Sequence, residues 1–249
     1  RYDETVFVGD HIQSMTGEEA FNWLGSEYTS NSSIEGLENI PKDGKFLIVS
    51  NHPMGAADAI ALYHKIYPVR NDLFFFANEL FVYLLGAFHD LLAPVVWSKE
   101  KETHSASKVT LERLSVFFGD ERPGIIFPSG RLSRLTFFGL WDRPWEKTPI
   151  ALAKKYNFPL IPVYVEGRNS WFFYFASYIN KQLRDVSQLN ELFNKRDKNM
   201  SIKIGKPVNV SSLSDNNDIA INQLRYKSES LRKKALLKLN RFIYLRNLR

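Results

Sequence analysis

The feature that most constrains this chain is a series of short apolar runs without polar alternation. Phe46–Ser50, Leu73–Ala77, Pro94–Trp97, Gly124–Phe127 and Leu160–Val165 are each about as long as an ordinary strand. An unbroken apolar run of this length predicts a strand covered on both faces. A sixth run, Ser201–Ile204, does alternate. Between the runs lie segments of helical character: Gly55–Ile66, Ser105–Phe118, Pro149–Tyr156 and Trp171–Leu183. In the second of these, Val109, Leu111, Leu114 and Phe118 supply the expected apolar stripe. Strand and helix in alternation predict the α/β class, a mainly parallel central sheet flanked by helices. Right-handed crossovers then gather the strand C-termini on one edge, where such proteins place their ligands.

The flanks read differently. Residues 1–40 form an N-terminal helical segment, with helix and loop over 11–38. The α/β domain spans 41–210, and a C-terminal helical segment spans 211–249. From Ile219 to Leu248 there is no Pro or Gly, and Leu224, Leu231, Ala235, Leu239, Phe242, Leu245 and Leu248 recur at helical spacings. This predicts one long, basic, amphipathic helix, packed on the core or on a membrane surface. The charge is concentrated there. Residues 225–249 carry nine Lys/Arg and one Glu, or +8, and the rest of the chain nets −2. A nucleic-acid binder with a distributed basic face looks different, and no nucleic-acid partner is expected. No stretch approaches the ~20 apolar residues that span a bilayer. The chain begins at Arg1, and whether a leader or anchor precedes it is left open. Cysteine is absent, which excludes disulfides, thiolate metal sites and Cys nucleophiles and fits a reducing compartment.

Three strand exits carry polar clusters. The first is Ser50-Asn51-His52-Pro53-Met54-Gly55-Ala56-Ala57-Asp58. A His at a strand end and an Asp one helical turn later can meet in space. The carboxylate would fix one imidazole nitrogen and leave the other free to take a proton. Equally, Asn51 or Asp58 can cap the helix by bonding the local backbone, with His52 merely packed. The second is Phe127-Pro128-Ser129-Gly130-Arg131-Leu132-Ser133-Arg134. Turn amides and arginines suit a phosphate or carboxylate, but solvated arginines on a surface turn are as natural. The third, Glu166-Gly167-Arg168-Asn169-Ser170, ends the strand that begins at Leu160.

Taken together, the Asn51-His52-Pro53-x-Gly55-x-x-Asp58 block, the Phe127-Pro128-x-Gly130 turn and the Pro162-Val163-x-x-x-Gly167-Arg168-Asn169-Ser170 block resemble the bacterial lysophospholipid acyltransferase superfamily, the glycerophosphate-acyltransferase-like enzymes. Within it the chain is most similar to the branch labelled hemolysin-like or aminolipid O-acyltransferases. Further points of similarity are Gly36–Pro41, Asp142-Arg143-Pro144-Trp145, Glu191–Arg196 and Ile204–Pro207, so the resemblance runs from about residue 36 to 208.

The resemblance implies acyl transfer from a thioester to a lyso-aminolipid hydroxyl. The lipid is of the ornithine, glycine or sulfonate type, and lysophosphatidic acid is the alternative acceptor. No cofactor is implied beyond the acyl carrier protein or CoA thioester. His52 takes the place of the general base and Asp58 of its orienting partner. Asn51, Ser129, Gly130, Arg131, Ser133, Arg134, Arg168 and Asn169 fall where the family binds substrate, and no metal is implied. The implied location is peripheral, on the cytoplasmic face of the inner membrane, in contact with anionic lipid.

Two departures matter. Five residues separate His52 from Asp58 where the wider superfamily has four, and Gly55 is where the backbone could absorb the extra one. Ser129 stands where glycerophosphate enzymes carry Glu, which points away from a phosphate monoester acceptor.

Other chemistries lack their signatures. There is no Gly-x-Ser-x-Gly elbow, Walker loop, Gly-x-Gly-x-x-Gly or His-Glu-x-x-His. His11, His64, His89 and His104 belong to no such motif and read as surface or packed residues. A non-catalytic lipid-surface protein is the alternative of another class, on the strength of the basic tail. The Trp171–Phe175 aromatic run is a second docking candidate, though such a run more often belongs to a core.

Overall fold

A computed structural model gives the architecture over residues 1–78, 86–95, 104–137, 139–179, 187–188 and 190–232. Helices α1 (Tyr2–Ile12) and α2 (Gly17–Tyr28) precede strands β1 (Ser33–Glu35) and β2 (Leu47–Ser50). Helix α3 (Ala56–Ile66), strands β3 (Phe74–Asn78) and β4 (Leu92–Val95), helix α4 (His104–Gly119) and strand β5 (Gly124–Ile126) follow. A short hairpin of β6 (Arg134–Thr136) and β7 (Gly139–Trp141) leads into α5 (Thr148–Tyr156) and β8 (Leu160–Glu166). Helix α6 (Trp171–Ile179), strand β9 (Ser201–Ile204) and helix α7 (Asn217–Glu229) complete the described elements.

Seven strands form one sheet in the order β1-β9-β8-β2-β5-β3-β4. All neighbours are parallel except β8 and β9. The expected mainly parallel α/β sheet is therefore present, with β2 at its centre. The period-two geometry of a strand, with a core on either side, explains why β2 is apolar from Leu47 to Val49. Ile48 faces one core with Ala57, Ala61, Phe75, Ile161 and Val163. Leu47 and Val49 face a second core with Phe74, Phe118, Ile150, Leu152 and Leu224. Alternation survives in β9, which the sequence had marked out and where Ile202 and Ile204 are buried and Ser201 and Lys203 are not.

Several expectations need correction. Residues 33–35 are an edge strand paired with β9, not loop. The β6–β7 hairpin was not foreseen. Its residues are exposed or half-buried, so they leave no apolar run to read. Leu111 does not belong to the buried stripe of α4. It is exposed, and Leu114, Phe117 and Phe118 make the contact. The helix expected over 219–248 ends at Glu229. There Leu231 N–H and Arg232 N–H bond the carbonyls three residues back, and the Ser230 hydroxyl takes the Tyr226 carbonyl. That tightening uses up the last helical acceptors and turns the chain. Residues 233–249 lie outside the described residues, as do Trp97 and the expected end of the α6 helix at 180–183. The described part of the C-terminal segment packs on the core, through Ala220, Ile221 and Leu224. No helix among the described residues is long and apolar enough to cross a membrane.

Candidate active site

The central strand β2 delivers Asn51 and His52 at its C-terminal end. Asn51 is buried and bonds the backbone of Val165 twice: its Nδ2 donates to the carbonyl at 2.8 Å, and its Oδ1 accepts from the N–H at 2.7 Å. These two bonds extend the β2–β8 ladder by a side chain and fix where the strand stops. The chain then turns at Gly55, whose φ of 83° and ψ of −132° lie outside the regions open to residues with a side chain. A Cβ there would also stand 3.2 Å from Leu132 and from Gln188. The five-residue spacing between His52 and Asp58 is accommodated at this glycine.

Asp58 is the third residue of α3 and is fully buried. Its Oδ2 accepts from Met54 N–H at 2.8 Å and from Gly55 N–H at 3.0 Å, and it lies 3.0 Å from His52 Nδ1. The two readings of this carboxylate are thus both true: it caps the helix and it stands against the imidazole. Nδ1 is at ion-pair distance without the alignment of a hydrogen bond, and Oδ1 is buried with no partner among the described residues. The imidazole is one-fifth exposed and stacks on Phe127, ring centres 4.0 Å apart. With Nδ1 against the carboxylate, Nε2 is the nitrogen left for a substrate proton.

The backbone of His52 is held from the other side. Its N–H donates to Asp142 Oδ1 at 3.4 Å, and its carbonyl accepts from Ser133 N–H at 2.8 Å. The Ser133 hydroxyl donates to the same Asp142 oxygen in a short hydrogen bond. Trp145 Nε1–H donates to Oδ2 at 3.0 Å, and Arg225 of α7 donates to the Asp142 carbonyl at 3.1 Å. Burial pushes the Asp142 carboxyl above the ordinary carboxylate range, against the opposing pull of Ser133, Trp145, Arg225 and the His52 N–H. Glu229 is raised by burial in the same way, with its partner Arg225 at 2.8 Å pulling back.

A second buried network lies under the Pro53–Gly55 turn. Lys195 Nζ donates to Asn169 Oδ1 at 2.9 Å, to Glu191 Oε2 at 3.2 Å and to the Arg168 carbonyl at 3.2 Å. Asn169 Nδ2 reaches the Met54 carbonyl at 3.5 Å. Glu191 also accepts from Ser170 N–H at 2.8 Å and from its hydroxyl. Burial lowers the Lys195 ammonium, and Glu191 opposes that shift.

The expected binding residues therefore divide. Asn51, Ser133 and Asn169 adjoin the His–Asp turn but bond protein groups. Ser129 donates to the Arg131 carbonyl at 2.7 Å, within a turn that Gly130 closes at φ 59°. Arg131, Arg134 and Arg168 are exposed. Asp142, Trp145, Glu191, Lys195, Arg225 and Phe127's stacking role were not singled out as site residues. The i,i+4 spacings of Glu191 with Lys195 and of Arg225 with Glu229 are the sequence signals that could have shown such pairs. Of the other histidines, His64 Nδ1 sits 2.7 Å from Asn22 Oδ1, and His89 contacts Arg113.

A mainly parallel α/β sheet with a His–Asp pair at the exit of its central strand defines a class of folds suited to base-assisted transfer. The sequence pattern of the acyltransferase family matches residues 18–242, and the chain belongs to that family, within the glycerophosphate-acyltransferase-like lysolipid acyltransferase superfamily. It is 33% identical over 182 residues to a lyso-glycine lipid O-acyltransferase of Phocaeicola vulgatus, covering 70% of this chain and 63% of that one. A Bacteroides thetaiotaomicron lyso-glycine lipid O-acyltransferase is 31% identical over 182 residues, at 70% and 65% coverage. The match thus spans less than two thirds of either relative's length. The fold is that of the 1-acyl-sn-glycerophosphate acyltransferase PlsC from Thermotoga maritima, with a TM-score of 0.51 and 22% identity over 93% of this chain and 79% of that one.

Proposed function

We propose that this chain is an O-acyltransferase that moves a fatty acyl group from an acyl thioester to the hydroxyl of a lyso-aminolipid. The observation that carries the reading is the His52–Asp58 pair, 3.0 Å apart, at the end of the central strand. Nε2 takes the acceptor's hydroxyl proton as the oxygen attacks the thioester carbonyl. The C–O bond forms, the C–S bond breaks, and the leaving thiolate recovers the proton from the imidazolium. Asp58 stabilises that imidazolium. The lyso-glycine lipid acyltransferases among its relatives favour a carboxylate-bearing head group, and Arg131, Arg134 or Arg168 supplies a planar cation to meet it. The donor is acyl carrier protein or CoA, no cofactor takes part, and the protein works peripherally at the cytoplasmic face of the inner membrane.

Purified protein should be offered long-chain acyl carrier protein and acyl-CoA against lyso-glycine, lyso-ornithine and lyso-sulfonate lipids and lysophosphatidic acid, with products read by mass spectrometry. A diacyl product is expected, reduced ~10²–10⁴-fold in His52→Ala, the usual range for a positioned base. Full activity in folded His52→Ala would sink the mechanism. Arg131→Ala should raise the acceptor KM with little change in kcat if the guanidinium only binds the head group.

A further inference from the structure

Helix α6 turns a wholly apolar face to solvent. Trp171, Phe172, Phe175 and Ile179 are each 60–69% exposed, while Phe173 and Ala176 are buried. At about 100° per residue the four exposed side chains fall within one ~100° arc, and the buried pair lies beyond its edge. No charged residue occurs in Trp171–Ile179. Four large apolar side chains side by side on one helix make a contiguous patch, which marks an interaction surface in a way that scattered apolar residues do not.

The patch is tied to the site. Ser170 caps α6, its hydroxyl accepting from Phe173 N–H at 3.2 Å, and the preceding Asn169 reaches the Met54 carbonyl beside Asp58. The segment on the other side of the His52–Met54 turn has the same character. Ser133 N–H holds the His52 carbonyl, and the hairpin that follows exposes Leu135 and Phe137. Residues 128–141 and 167–179 contain Arg131, Arg134 and Arg168 and no Asp or Glu. The Arg168 guanidinium lies 5.8 Å from the Trp171 ring. Amphipathic aromatics with a flanking Arg and no acid are complementary to the interface of an anionic bilayer. A protein partner that bore its own charges would more often be met by charges of both signs.

We propose that the Trp171-Phe172-Phe175-Ile179 face of α6 is a membrane-docking surface, inserted into an anionic bilayer with Arg168 at head-group level. Docked this way, the protein holds the His52 turn against the leaflet that contains the lysolipid. The inference rests on the acceptor being a membrane lipid, and it assigns docking to the rim of the site independently of the basic tail.

The test is flotation of the whole chain with vesicles of phosphatidylethanolamine and phosphatidylglycerol, against phosphatidylcholine vesicles. The wild type should float with the anionic vesicles. The double variant Trp171→Glu/Phe175→Glu should partition at least about tenfold more weakly, since binding scales with inserted apolar area. Its rate on a short-chain, monomeric lyso-acceptor should stay within about twofold, while its rate on vesicle-embedded acceptor falls about tenfold, the signature of lost localisation and not of lost chemistry. Should the double variant fail to fold, quenching of tryptophan fluorescence by brominated lipid decides instead. Quenching should be present in the wild type and diminished in Trp171→Phe.

Equal flotation of wild type and variant, no flotation of the wild type, or quenching unchanged in Trp171→Phe each overturns the proposal. So does loss in the variant of a self-association or of an acyl-carrier-protein complex without any vesicle binding. The flotation arm needs no turnover. A chain inactive on every acceptor that still docks through Trp171 would refute the enzymatic reading and leave the docking surface standing.

Discussion

Asp142 touches His52 only through the backbone, yet it governs where the imidazole sits. It takes the His52 N–H directly and the Ser133 hydroxyl on the same oxygen, and Ser133 closes the loop by holding the His52 carbonyl. Ser133→Ala removes one bond of this clasp and leaves the fold. It should lower kcat by about tenfold, because small displacements of a base are amplified in rate, with a stability loss of about 1 kcal/mol for the lost bond. Steady-state kinetics beside thermal unfolding check it, and an unchanged kcat at lowered stability would make the clasp merely structural. Burial raises the Asp142 carboxyl, so the folded state keeps its proton to higher pH than the unfolded chain does. Between the two pKa values the folded state binds more protons, and stability falls as pH rises through that window. Asp142→Asn lacks this contribution. The wild type's Tm should therefore decline relative to the variant's as pH is raised from the acid range. A gap constant with pH would show that the carboxyl does not change its proton on folding.

At the scale of elements, the turn between β2 and α3 is set by Gly55. Gly55→Ala forces a side chain into a φ that disfavours it and against Leu132 and Gln188. A cost of about 1–3 kcal/mol is expected from the backbone alone. Transfer activity should fall with it, because the same turn aims His52 at Asp58. Chemical denaturation and the acyl-transfer assay together measure this, and a fully active, fully stable Gly55→Ala would show that the turn relaxes. The central strands and the helices that cross them were legible because burial on both faces leaves unbroken apolar runs. The β6–β7 hairpin and edge strand β1 were not, because each has three residues and no buried face of its own. Helix α6 was legible as a helix, but the direction of its aromatic face was not. An apolar run says nothing about which of its sides the core reaches.

Across the whole molecule two separate cores stand on the two faces of the sheet, and the site depends on both. Leu224 of α7 is fully buried in one of them, far in sequence from His52. Leu224→Ala should cost about 2–5 kcal/mol through the cavity it leaves, while the acceptor KM of the folded protein stays near that of the wild type. Lys195 bridges Glu191, Asn169 and the Arg168 carbonyl beneath the turn. Lys195→Met strands Glu191 as a buried unpaired carboxylate, and a loss of about 3–5 kcal/mol is expected, with the double change Lys195→Met/Glu191→Leu recovering much of it. A double variant no more stable than the single would mean that the pair's worth lies in its other hydrogen bonds.

The sequence by itself determined the class of fold and the strand exits at which chemistry could gather, because those follow from local apolar patterning, and it offered His52 and Asp58 as residues near enough to meet. It also carried the family resemblance that the comparisons established. It left undecided whether Asp58 caps or orients, and the structure shows one oxygen doing the first while standing at the distance for the second. Only the tertiary structure brought Asp142, Trp145 and Arg225 behind His52, and Lys195 beneath Met54. Those networks rest on bonds between residues 83, 90 and 115 positions apart in the chain, with Lys195 reaching Met54 by way of Asn169. Such contacts have no period, spacing or composition to announce them, since they exist only once a parallel sheet has carried distant strand ends to the same edge.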